Sequence, residues 1–531
     1  MRPRRLPRVT VPWVVVALAV LGVAATAVVG ATPGSPYQPV LTPNGQSKGP
    51  LREVAMWLGL NRLDGNLALL LSTLVAIGTV VACLLLAREA FRGRIGVAAI
   101  AVVVVIGHVM VLFSPLLYSR DVYSYAFYGR IAGIYGGNPY VETPLDHSGD
   151  LLWNYVGPKW VDTPAVYGPA WTRLSAELSG VLPKPVDHVE AYRLIAVLAS
   201  LATCVAIVWV VRAAWPARTA FALAVFGANP VVVFHSVASG HNDLLVALSV
   251  IVGLGLVLRD RNLAAVGVLT LGALVKAPVG LPLLLLLVWA IARRPRQERA
   301  RTALTHVGLA VGLGLVFAVP YLQWSDPTLG MLELSGHEGW LAPSAVFSRL
   351  FEVLSFGTLG WVARVAFAAV LLVSLGALVR EVARRAPAMP PAEIGAAWGW
   401  SLLLLALLGP VLLPWYAVWA LPLAWLLPRL ARSMAIATGA MLAVTLWSAE
   451  PLRFPGAFGL NLFVGRWIVT PALLAMALAL VGDLRSRLDV GFSFEDESSP
   501  SSLLAPLPLP QQGERVPAAA GDEGGGHTAR A

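Results

Sequence analysis

Charged residues are scarce in this chain of 531 residues: Asp, Glu, Lys and Arg make up 13%, whereas hydrophobic residues make up 57%. A soluble domain carries about 25% charged residues. The apolar residues also stand in long uninterrupted runs, which is typical of a polytopic membrane protein and argues against a soluble one. The net charge of +10 resides mostly in arginines of short loops, so it does not indicate nucleic-acid binding.

Cysteine and lysine are scarce too. Cys83 and Cys204 both lie inside apolar runs, which favours two core residues over a disulfide or a metal site. The chain has four lysines, and Lys276 stands in the middle of the apolar stretch 263–292. A charge at the centre of a membrane helix costs about 2.5–3.5 kcal/mol on insertion scales, so a lysine there is a candidate functional residue.

Several nucleotide-binding and hydrolytic motifs are absent from the sequence. It has no P-loop with its Gly-Lys-Ser/Thr ending, no glycine fingerprint of a Rossmann fold and no HExxH. These absences disfavour an enzyme that uses a nucleotide or a nucleotide sugar.

The apolar runs predict an all-α polytopic membrane protein with about 12–14 transmembrane helices in one domain, 1–487. The predicted spans are 11–30, 66–87, 95–117, 190–211, 219–237, 243–258, 263–275, 279–292, 304–321, 359–380, 396–412, 416–428, 434–449 and 464–483. Several are shorter than the roughly 20 residues of a straight crossing, so 263–292 and 396–428 are alternatively broken or re-entrant helices. We interpret 11–30, preceded by arginines, as a signal anchor rather than a cleaved signal peptide.

Arginine clusters recur in every second loop, as in 88–94, 212–218, 293–301, 380–385 and 485–487. The positive-inside rule then predicts cytoplasmic N- and C-termini. The opposite, outer side receives the long segment 118–189, which is rich in aromatic residues, proline and aspartate and is expected to be a structured outer loop. The tail 488–531 is rich in Ser, Pro, Gly and Glu, and is predicted to be disordered and cytoplasmic.

Asp121 is the first candidate for chemistry. In the helix predicted for "DVYSYAFYGRI", Asp121, Tyr125 and Tyr128 share one face because they are spaced i, i+4 and i+7. A carboxylate beside phenols at the membrane surface suits a general base that handles a hydroxylated substrate. The alternative is that Asp121 is a helix N-cap and that Arg120 is an interfacial arginine.

The stretch "WVDTPAVYGPAW" contributes Trp160, Asp162 and Tyr167. Aromatic faces pack against sugar rings, and carboxylates accept hydrogen bonds from sugar hydroxyls. Trp415 and Tyr416 in "PWYAVW" supply further aromatic faces that could pack against a sugar ring. Trp and Tyr are also typical of interfacial belts, so each residue alone leaves both interpretations open.

Two further polar groups interrupt apolar runs. The turn "SGHNDL" holds His241, Asn242 and Asp243, and "LVKAP" holds Lys276. Polar residues at such depth are candidate functional residues, with His241 and Lys276 as phosphate ligands. The alternatives are a capped helix break and a lysine that pairs with Asp243 or snorkels. His241 lacks a neighbouring histidine at metal-ligand spacing, so a metal site is not expected.

The order of these motifs, DVYSYAFYGR, GGNPY, TPAVYGP, GHND, VKAP and PWYAVW, resembles the actinobacterial polyprenol-phosphomannose-dependent α-1,6-mannosyltransferases. These are integral-membrane glycosyltransferases of the GT-C class, and the resemblance runs from about Ser119 to Pro422. It implies a GT-C-type bundle in the plasma membrane with its active site on the outer face. It also implies a polyprenyl-phosphate mannose donor, a glycolipid acceptor and no cofactor.

The resemblance assigns roles to the candidate residues. Asp121 is the expected general base; Lys276, His241 and Arg120 are expected to bind the donor phosphate. The acceptor and sugar are expected to contact Tyr125, Tyr128, Trp160, Asp162, Tyr167, Asn242, Asp243, Trp415 and Tyr416. Many GT-C enzymes have two nearly adjacent acids in the catalytic loop, whereas here the neighbours of Asp121 are Arg120 and Val122. The remaining candidates for a second acid are Glu142, Asp146 and Asp162, and a metal is not expected.

The alternatives to this function are transfer of another sugar, glucosyl or arabinofuranosyl, by the same scaffold, or transport of a lipid or glycan. Transporters tend to contain internal repeats and charges near the membrane centre. In this sequence the polar residues gather on one predicted side, which favours the transferase.

Overall fold

The structure is a computed structural model that describes residues 11–39, 49–323, 339, 341–445 and 455–490. It is all-helical over these residues. In chain order the helices are α1 Val11–Ala31, α2 Pro50–Trp57, α3 Gly65–Phe91, α4 Val97–Leu112, α5 Asp121–Gly133, α6 Pro169–Val181, α7 Pro185–Ala214, α8 Thr219–Gly227, α9 Asp243–Val257, α10 Asn262–Val275, α11 Gly280–Ala292, α12 Arg296–Ala318, α13 Pro343–Leu354, α14 Gly360–Arg385, α15 Pro391–Leu408, α16 Arg429–Ala443, α17 Pro455–Val464 and α18 Thr470–Val490. The tail from 491 onward lies outside the described residues.

Seven helical segments are long and apolar enough to cross a bilayer: α1, α3, α7, α12 with its following turn, α14, α15 and 465–488. An eighth forms if α8 and the π-helical segment Val231–Val237, bent by 41°, count as one span. Four shorter apolar segments, α4, α9, α10 and Ala277–Ala292, account for four more of the predicted spans. A polytopic helical membrane protein is therefore confirmed, whereas the number of crossings stays a prediction.

The two stretches expected from the sequence to be alternatively broken or re-entrant helices, 263–292 and 396–428, are both interrupted, and proline explains both breaks. The stretch 263–292 is broken at Lys276, where α10 ends and a 3-10 turn, Ala277–Val279, leads into α11. The predicted span 416–428 is wrong as a continuous helix, because this buried segment consists of two short 3-10 turns, Pro414–Trp419 and Leu421–Leu423. A proline lacks the N–H of an α-helical hydrogen bond and clashes with the preceding turn.

The segment 118–189 folds into α5, α6 and three short 3-10 turns. Its aromatic residues form a core of their own, which includes Tyr123, Phe127, Tyr155 and Trp171. Helix α5 packs closely on α6 and also contacts α7. Because α7 is a membrane-spanning candidate, this contact fixes the start of α5, and with it Asp121, against the bundle.

Glycine permits the close crossing of α5 and α6. A Cβ atom at Gly129 would lie 2.3 Å from the Ser175 carbonyl oxygen, and one at Gly133 would lie 2.6 Å from that of Ala176. The obstacles are backbone atoms of α6, which a rotamer change cannot move. A side chain at either position would therefore push the two helices apart.

We expect Gly129→Ala to lower the thermal unfolding temperature of the detergent-solubilised protein, because overpacking of this kind costs about 1–3 kcal/mol. Gly180→Ala is the matched control, since Gly180 is also helical but its Cβ would meet nothing within 4 Å. Alanine is favoured over glycine in a helix by about 1 kcal/mol, so the control should be neutral or stabilising. Equal unfolding temperatures for the two variants would contradict a tight α5–α6 contact.

Candidate active site

Asp121 begins α5, and the hydrogen bonds around it fix the position of its carboxylate. Ser119 Oγ donates to Asp121 Oδ1 at 2.9 Å and accepts the Asp121 backbone N–H at 3.1 Å. Tyr167 Oη donates to Oδ2 at 3.4 Å. The side chain keeps 19% of its surface exposed, so a substrate hydroxyl can reach it.

Burial raises the pKa of Asp121 to about 6, against the opposing influence of the Lys276 charge and the Ser119 hydrogen bond. A carboxyl with a pKa near the operating pH is a better proton acceptor than an ordinary aspartate, and still ionised at neutral pH. The environment of Asp121 therefore suits general-base chemistry.

Lys276 and Asp243 form a buried ion pair, which is one of the alternatives that the sequence left open. Lys276 Nζ donates to Asp243 Oδ2 at 2.7 Å, and Trp419 Nε1 donates to Oδ1 at 2.6 Å. Lys276 Nζ also lies 5.1 Å from the ring centre of Tyr416 and 5.8 Å from that of Tyr167. An ammonium has three donors, and Asp243 takes one of them, so the others remain for an anionic substrate.

His241 lies in the turn between two apolar segments, and its ring stacks on Trp415 with the centres 3.8 Å apart. Its Nδ1 is 3.3 Å from Tyr125 Oη and 3.6 Å from Asp121 Oδ2. Burial, assisted by the Lys276 charge, lowers the pKa of His241 well below its usual value. A neutral imidazole can donate or accept a hydrogen bond, but it supplies no counter-charge for a phosphate.

Two buried polar atoms of this turn lack hydrogen-bond partners among the described residues: His241 Nε2 and Asn242 Nδ2. The amide of Asn242 is held from the other side, because Tyr125 Oη donates to its Oδ1 at 3.4 Å. A buried polar group without a partner costs about 1–3 kcal/mol. Hydroxyl groups of a bound sugar would satisfy both atoms, so this part of the cluster suits a polyhydroxylated ligand.

Two glycines shape the chain segments that carry these side chains. Gly168 N donates to the Val275 carbonyl at 3.0 Å, and a Cβ at Gly168 would lie 2.1 Å from the Leu274 carbonyl oxygen. The "YGP" loop can therefore lie directly against the chain before Lys276 only because residue 168 is glycine. Gly240, at φ +68°, gives the GHND turn its left-handed residue.

The structure thus brings together most of the candidates from the sequence: Asp121, Tyr125, Tyr167, His241, Asn242, Asp243, Lys276, Trp415 and Tyr416. Tyr128 is buried nearby, but its hydroxyl donates to the Thr163 carbonyl at 2.8 Å. Trp160 and Asp162 lie at the margin of this cluster. Trp160 is half-buried beside Lys159, and Asp162 is exposed. Arg120 is half-buried and next to Asp121 in the chain.

The second acid of the site is Asp243, which the sequence analysis had assigned to sugar binding. Its charge is close enough to Asp121 to raise the pKa of that carboxyl. Glu142 instead contacts His147 at 2.8 Å, and Asp146 accepts the Thr143 backbone N–H at 2.8 Å. These two acids therefore shape the loop rather than the site.

Sequence reasoning missed Ser119 as part of the site, and it left Trp419 open between an interfacial belt and a sugar platform rather than predicting it as a partner of Asp243. Trp419 stands in "PWYAVW", and a tryptophan N–H within a buried segment is a signal that a partner is near. Ser119 is two residues before Asp121, the usual spacing for a local side-chain hydrogen bond.

Comparison with known proteins identifies the family of this chain. The sequence profile of the α-(1→6)-mannopyranosyltransferase family, N-terminal domain, matches residues 13–293, more than half of the chain. The chain belongs to this family. It is therefore an enzyme, a glycosyltransferase of the mannosyltransferase class. The matched range includes Asp121, the GHND turn and Lys276, but not the Trp415–Trp419 segment.

Two relatives illustrate the similarity. The mannosyltransferase is 28% identical to α-(1→6)-mannopyranosyltransferase A of Mycobacterium tuberculosis over 384 residues, 68% of this chain and 71% of the relative. It is 31% identical to the enzyme of the same name from Corynebacterium glutamicum over 176 residues, 33% of this chain and 35% of the relative. No solved structure matches the chain.

The buried pair predicts a strong coupling between Lys276 and Asp243. We expect Lys276→Met and Asp243→Asn each to lower the stability of the mannosyltransferase by about 3–5 kcal/mol, because each leaves one buried charge without its partner. The double variant should lose much less stability than the two single variants lose in sum, since neither buried charge remains. Thermal unfolding of the purified variants in one detergent measures this coupling.

Arg173→Met is the matched control for this experiment. It removes an exposed pair, Arg173–Glu177, whose atoms are 2.8 Å apart, close to the 2.7 Å of the buried pair, and exposed pairs contribute little. Additive effects of Lys276→Met and Asp243→Asn would contradict the pairing.

Proposed function

We propose that this mannosyltransferase transfers mannose from polyprenyl-phosphate mannose to a lipid-linked mannan or lipoglycan acceptor at the outer face of the plasma membrane. The transfer inverts the anomeric configuration and forms an α-1,6 linkage. The observation that carries the proposal is that Asp121, with a pKa of about 6, and Lys276 belong to one partly open cluster of aromatic and polar side chains.

Asp121 is the base of the proposed reaction. The 6-hydroxyl oxygen of the acceptor attacks the anomeric carbon of the donor mannose, and its proton passes to the Asp121 carboxylate. The bond between the anomeric carbon and the phosphate oxygen breaks in the same step, and the electron pair leaves with polyprenyl phosphate. The hydrogen bonds from Ser119 and Tyr167 support this role, because they hold the carboxylate in place without covering it.

Lys276 stabilises the leaving phosphate. Charge that is already in place where negative charge develops is usually the largest catalytic contribution. The pairing with Asp243 fixes the ammonium. Arg120, next to Asp121 in the chain and half-buried, is the proposed second cation for the phosphate. His241 contributes a hydrogen bond from a neutral ring rather than a charge. The proposed reaction uses no metal ion.

The sugars bind among the aromatic and amide side chains. Tyr167, Trp415 and Tyr416 supply faces for the pyranose rings, and Asn242 supplies an amide hydrogen that has no partner among the described residues. Trp160 and Asp162, at the exposed margin, serve a more distant part of the acceptor glycan. The enzyme takes the orientation that the positive-inside rule predicts, with both termini in the cytoplasm.

A transfer assay with synthetic donors tests this function. Purified enzyme should transfer mannose from the β-linked polyprenyl-phosphate donor to an α-mannoside lipid, and NMR of the product should show a new α-1,6 linkage. If the enzyme transfers glucose or arabinofuranose faster than mannose, that sugar replaces mannose in the proposal. Uptake of the lipid into proteoliposomes without any transfer would favour the transporter alternative.

Asp121→Asn should lower the transfer rate by about 10²–10⁴-fold, because the amide has the shape of the carboxylate but cannot accept the proton. The unfolding temperature and the membrane insertion of the variant should stay near those of the wild type. Glu177→Gln, at an exposed acid of α6 to which the reaction assigns no role, is the matched control and should change the rate little. A rate of Asp121→Asn within a few-fold of the wild type would remove Asp121 as the base.

The pH profile provides an independent check on the base. Only the carboxylate form accepts a proton, and the pKa of Asp121 is about 6, so the rate should be constant above this pH and fall below it. Ser119→Ala removes a hydrogen bond that lowers the pKa of Asp121, so its acidic limb should move to higher pH. A limb that stays in place in Ser119→Ala would mean that another group limits the rate at low pH.

A further inference from the structure

Tyr118 directly precedes the segment 119–121, and its backbone has an unusual conformation. Its φ of +60° lies in the left-handed region, which a bulky residue rarely adopts. Among the described residues, Asp260 and Phe356 are the other non-glycine residues with a positive φ, and both are exposed. Tyr118 is instead buried, with 2% of its surface exposed. Such strain persists only where the surrounding structure holds it, and it clusters at functional sites.

Two further aromatic rings hold the Tyr118 side chain. The Tyr118 ring stacks on that of His235 with the centres 3.9 Å apart, and its centre lies 5.1 Å from that of Tyr37. Tyr37 Oη donates to the Ser72 carbonyl of α3. His235, in a π-helical segment, donates from Nε2 to the Ala443 carbonyl of α16 at 3.2 Å. These three rings, which we call the aromatic triad, therefore anchor residue 118 to two helices of the bundle.

Hydrogen bonds on both sides of Tyr118 fix the path of the chain into α5. Tyr118 N donates to the Tyr37 carbonyl at 2.7 Å. The Leu117 carbonyl accepts hydrogen bonds from Ser239 Oγ at 2.6 Å and from Ser119 N at 2.7 Å. Ser119 Oγ in turn donates to the carboxylate of the candidate base at 2.9 Å. The turn at residue 118 therefore sets the direction of Ser119, and Ser119 holds the base.

We propose that Tyr118 is a positioning residue of the mannosyltransferase: its left-handed turn, held by the aromatic triad, orients Ser119 and through it the carboxylate of Asp121. This inference rests on the proposed function, because it takes Asp121 as the base. The role needs no contact between Tyr118 and the substrate. The alternative is that Tyr118 only fills space in the core, which requires a large side chain but no particular φ.

Glycine and alanine at position 118 separate the turn from the packing. Both remove the ring and leave nearly the same space, but glycine adopts a positive φ without strain, whereas left-handed backbone is disfavoured for alanine by a factor of about 5–30. We expect kcat to be lower in Tyr118→Ala than in Tyr118→Gly by about five-fold or more. The KM values for donor and acceptor should stay near those of the wild type. Tyr118→Phe keeps the ring and should retain a nearly normal rate.

The pH profile tests whether Tyr118 acts through Ser119. The Ser119 hydrogen bond lowers the pKa of Asp121, so a turn that no longer holds Ser119 raises this pKa and moves the acidic limb of the rate to higher pH. Tyr118→Ala should therefore move the limb as Ser119→Ala does, Tyr118→Gly should move it less, and Tyr118→Ala should add no shift in a Ser119→Ala background. The other charged and titratable groups around Asp121 remain in these variants: Arg120, Tyr125, Tyr128, Tyr167, His241, Asp243, Lys276 and Tyr416.

Phe356 provides the matched control. Its φ of +54° is also left-handed, but its side chain is 96% exposed in the turn between α13 and α14. Phe356→Gly and Phe356→Ala carry the same difference in backbone strain, so any difference between them should appear in the unfolding temperature and not in kcat or the acidic limb. A role of Tyr118 in packing alone predicts this same behaviour at position 118.

A second variant and a second measurement keep the test independent of folding and of turnover. If Tyr118→Ala does not fold, Tyr37→Leu replaces it: this variant removes one ring of the aromatic triad, leaves residue 118 intact, and should also lower kcat and move the limb to higher pH. Infrared titration of the carboxyl band that Asp121→Asn removes measures the protonation of Asp121 without any substrate. Its midpoint should lie at higher pH in Tyr118→Ala than in Tyr118→Gly.

The outcomes separate this inference from the proposed function. Equal kcat values and acidic limbs in Tyr118→Gly and Tyr118→Ala, or alanine as the more active variant, would overturn the positioning role and leave the mannose transfer standing. An unchanged limb in Tyr37→Leu would do the same where Tyr118→Ala does not fold. An infrared midpoint that shifts in Tyr118→Ala, in a protein that transfers no mannose, would support the positioning of the carboxyl and overturn the reaction proposed for it.

Discussion

The buried ion pair between Lys276 and Asp243 is the interaction on which the rest of the site depends. It connects the break between α10 and α11 with the start of α9, and Trp419 adds the 3-10 segment of 414–419 through the other carboxylate oxygen. Two charges removed from water are stable only with such partners. The pair therefore fixes three chain segments around one point and leaves a positive charge beside Asp121.

This constraint also explains why a membrane protein has breaks here. An uninterrupted α10–α11 helix would carry Lys276 in the middle of an apolar span, where a charge is costly. The break at Ala277–Val279 ends α10 at the lysine and frees backbone groups at the site, and Pro278 maintains it. Irregular backbone at such depth is found where protein buries it or where it lines a cavity. The two 3-10 turns of 414–423 are also irregular backbone, and they are tolerated because the protein buries them.

The sequence predicted the membrane class, the position of the α10–α11 break and most members of the cluster. Apolar length and the cost of buried charge are local properties, so Asp121, His241 and Lys276 could be recognised one at a time. Their pairing is a long-range property: the same Lys276 is compatible with a free phosphate ligand or a partner of Asp243, and only the fold decides. For the same reason the sequence alone predicts Asp243 as a sugar ligand and offers Glu142, Asp146 and Asp162 as the candidates for the second acid.

A structure of the enzyme in lipid nanodiscs with a non-transferable polyprenyl-phosphate mannose analogue would test the central claim most directly. The account predicts density for the phosphate at Lys276 Nζ, with the mannose among Tyr167, Asn242 and Tyr416 and its anomeric carbon accessible from Asp121. A donor bound at the arginine-rich end of the bundle, or with its phosphate out of reach of Lys276, would contradict the account.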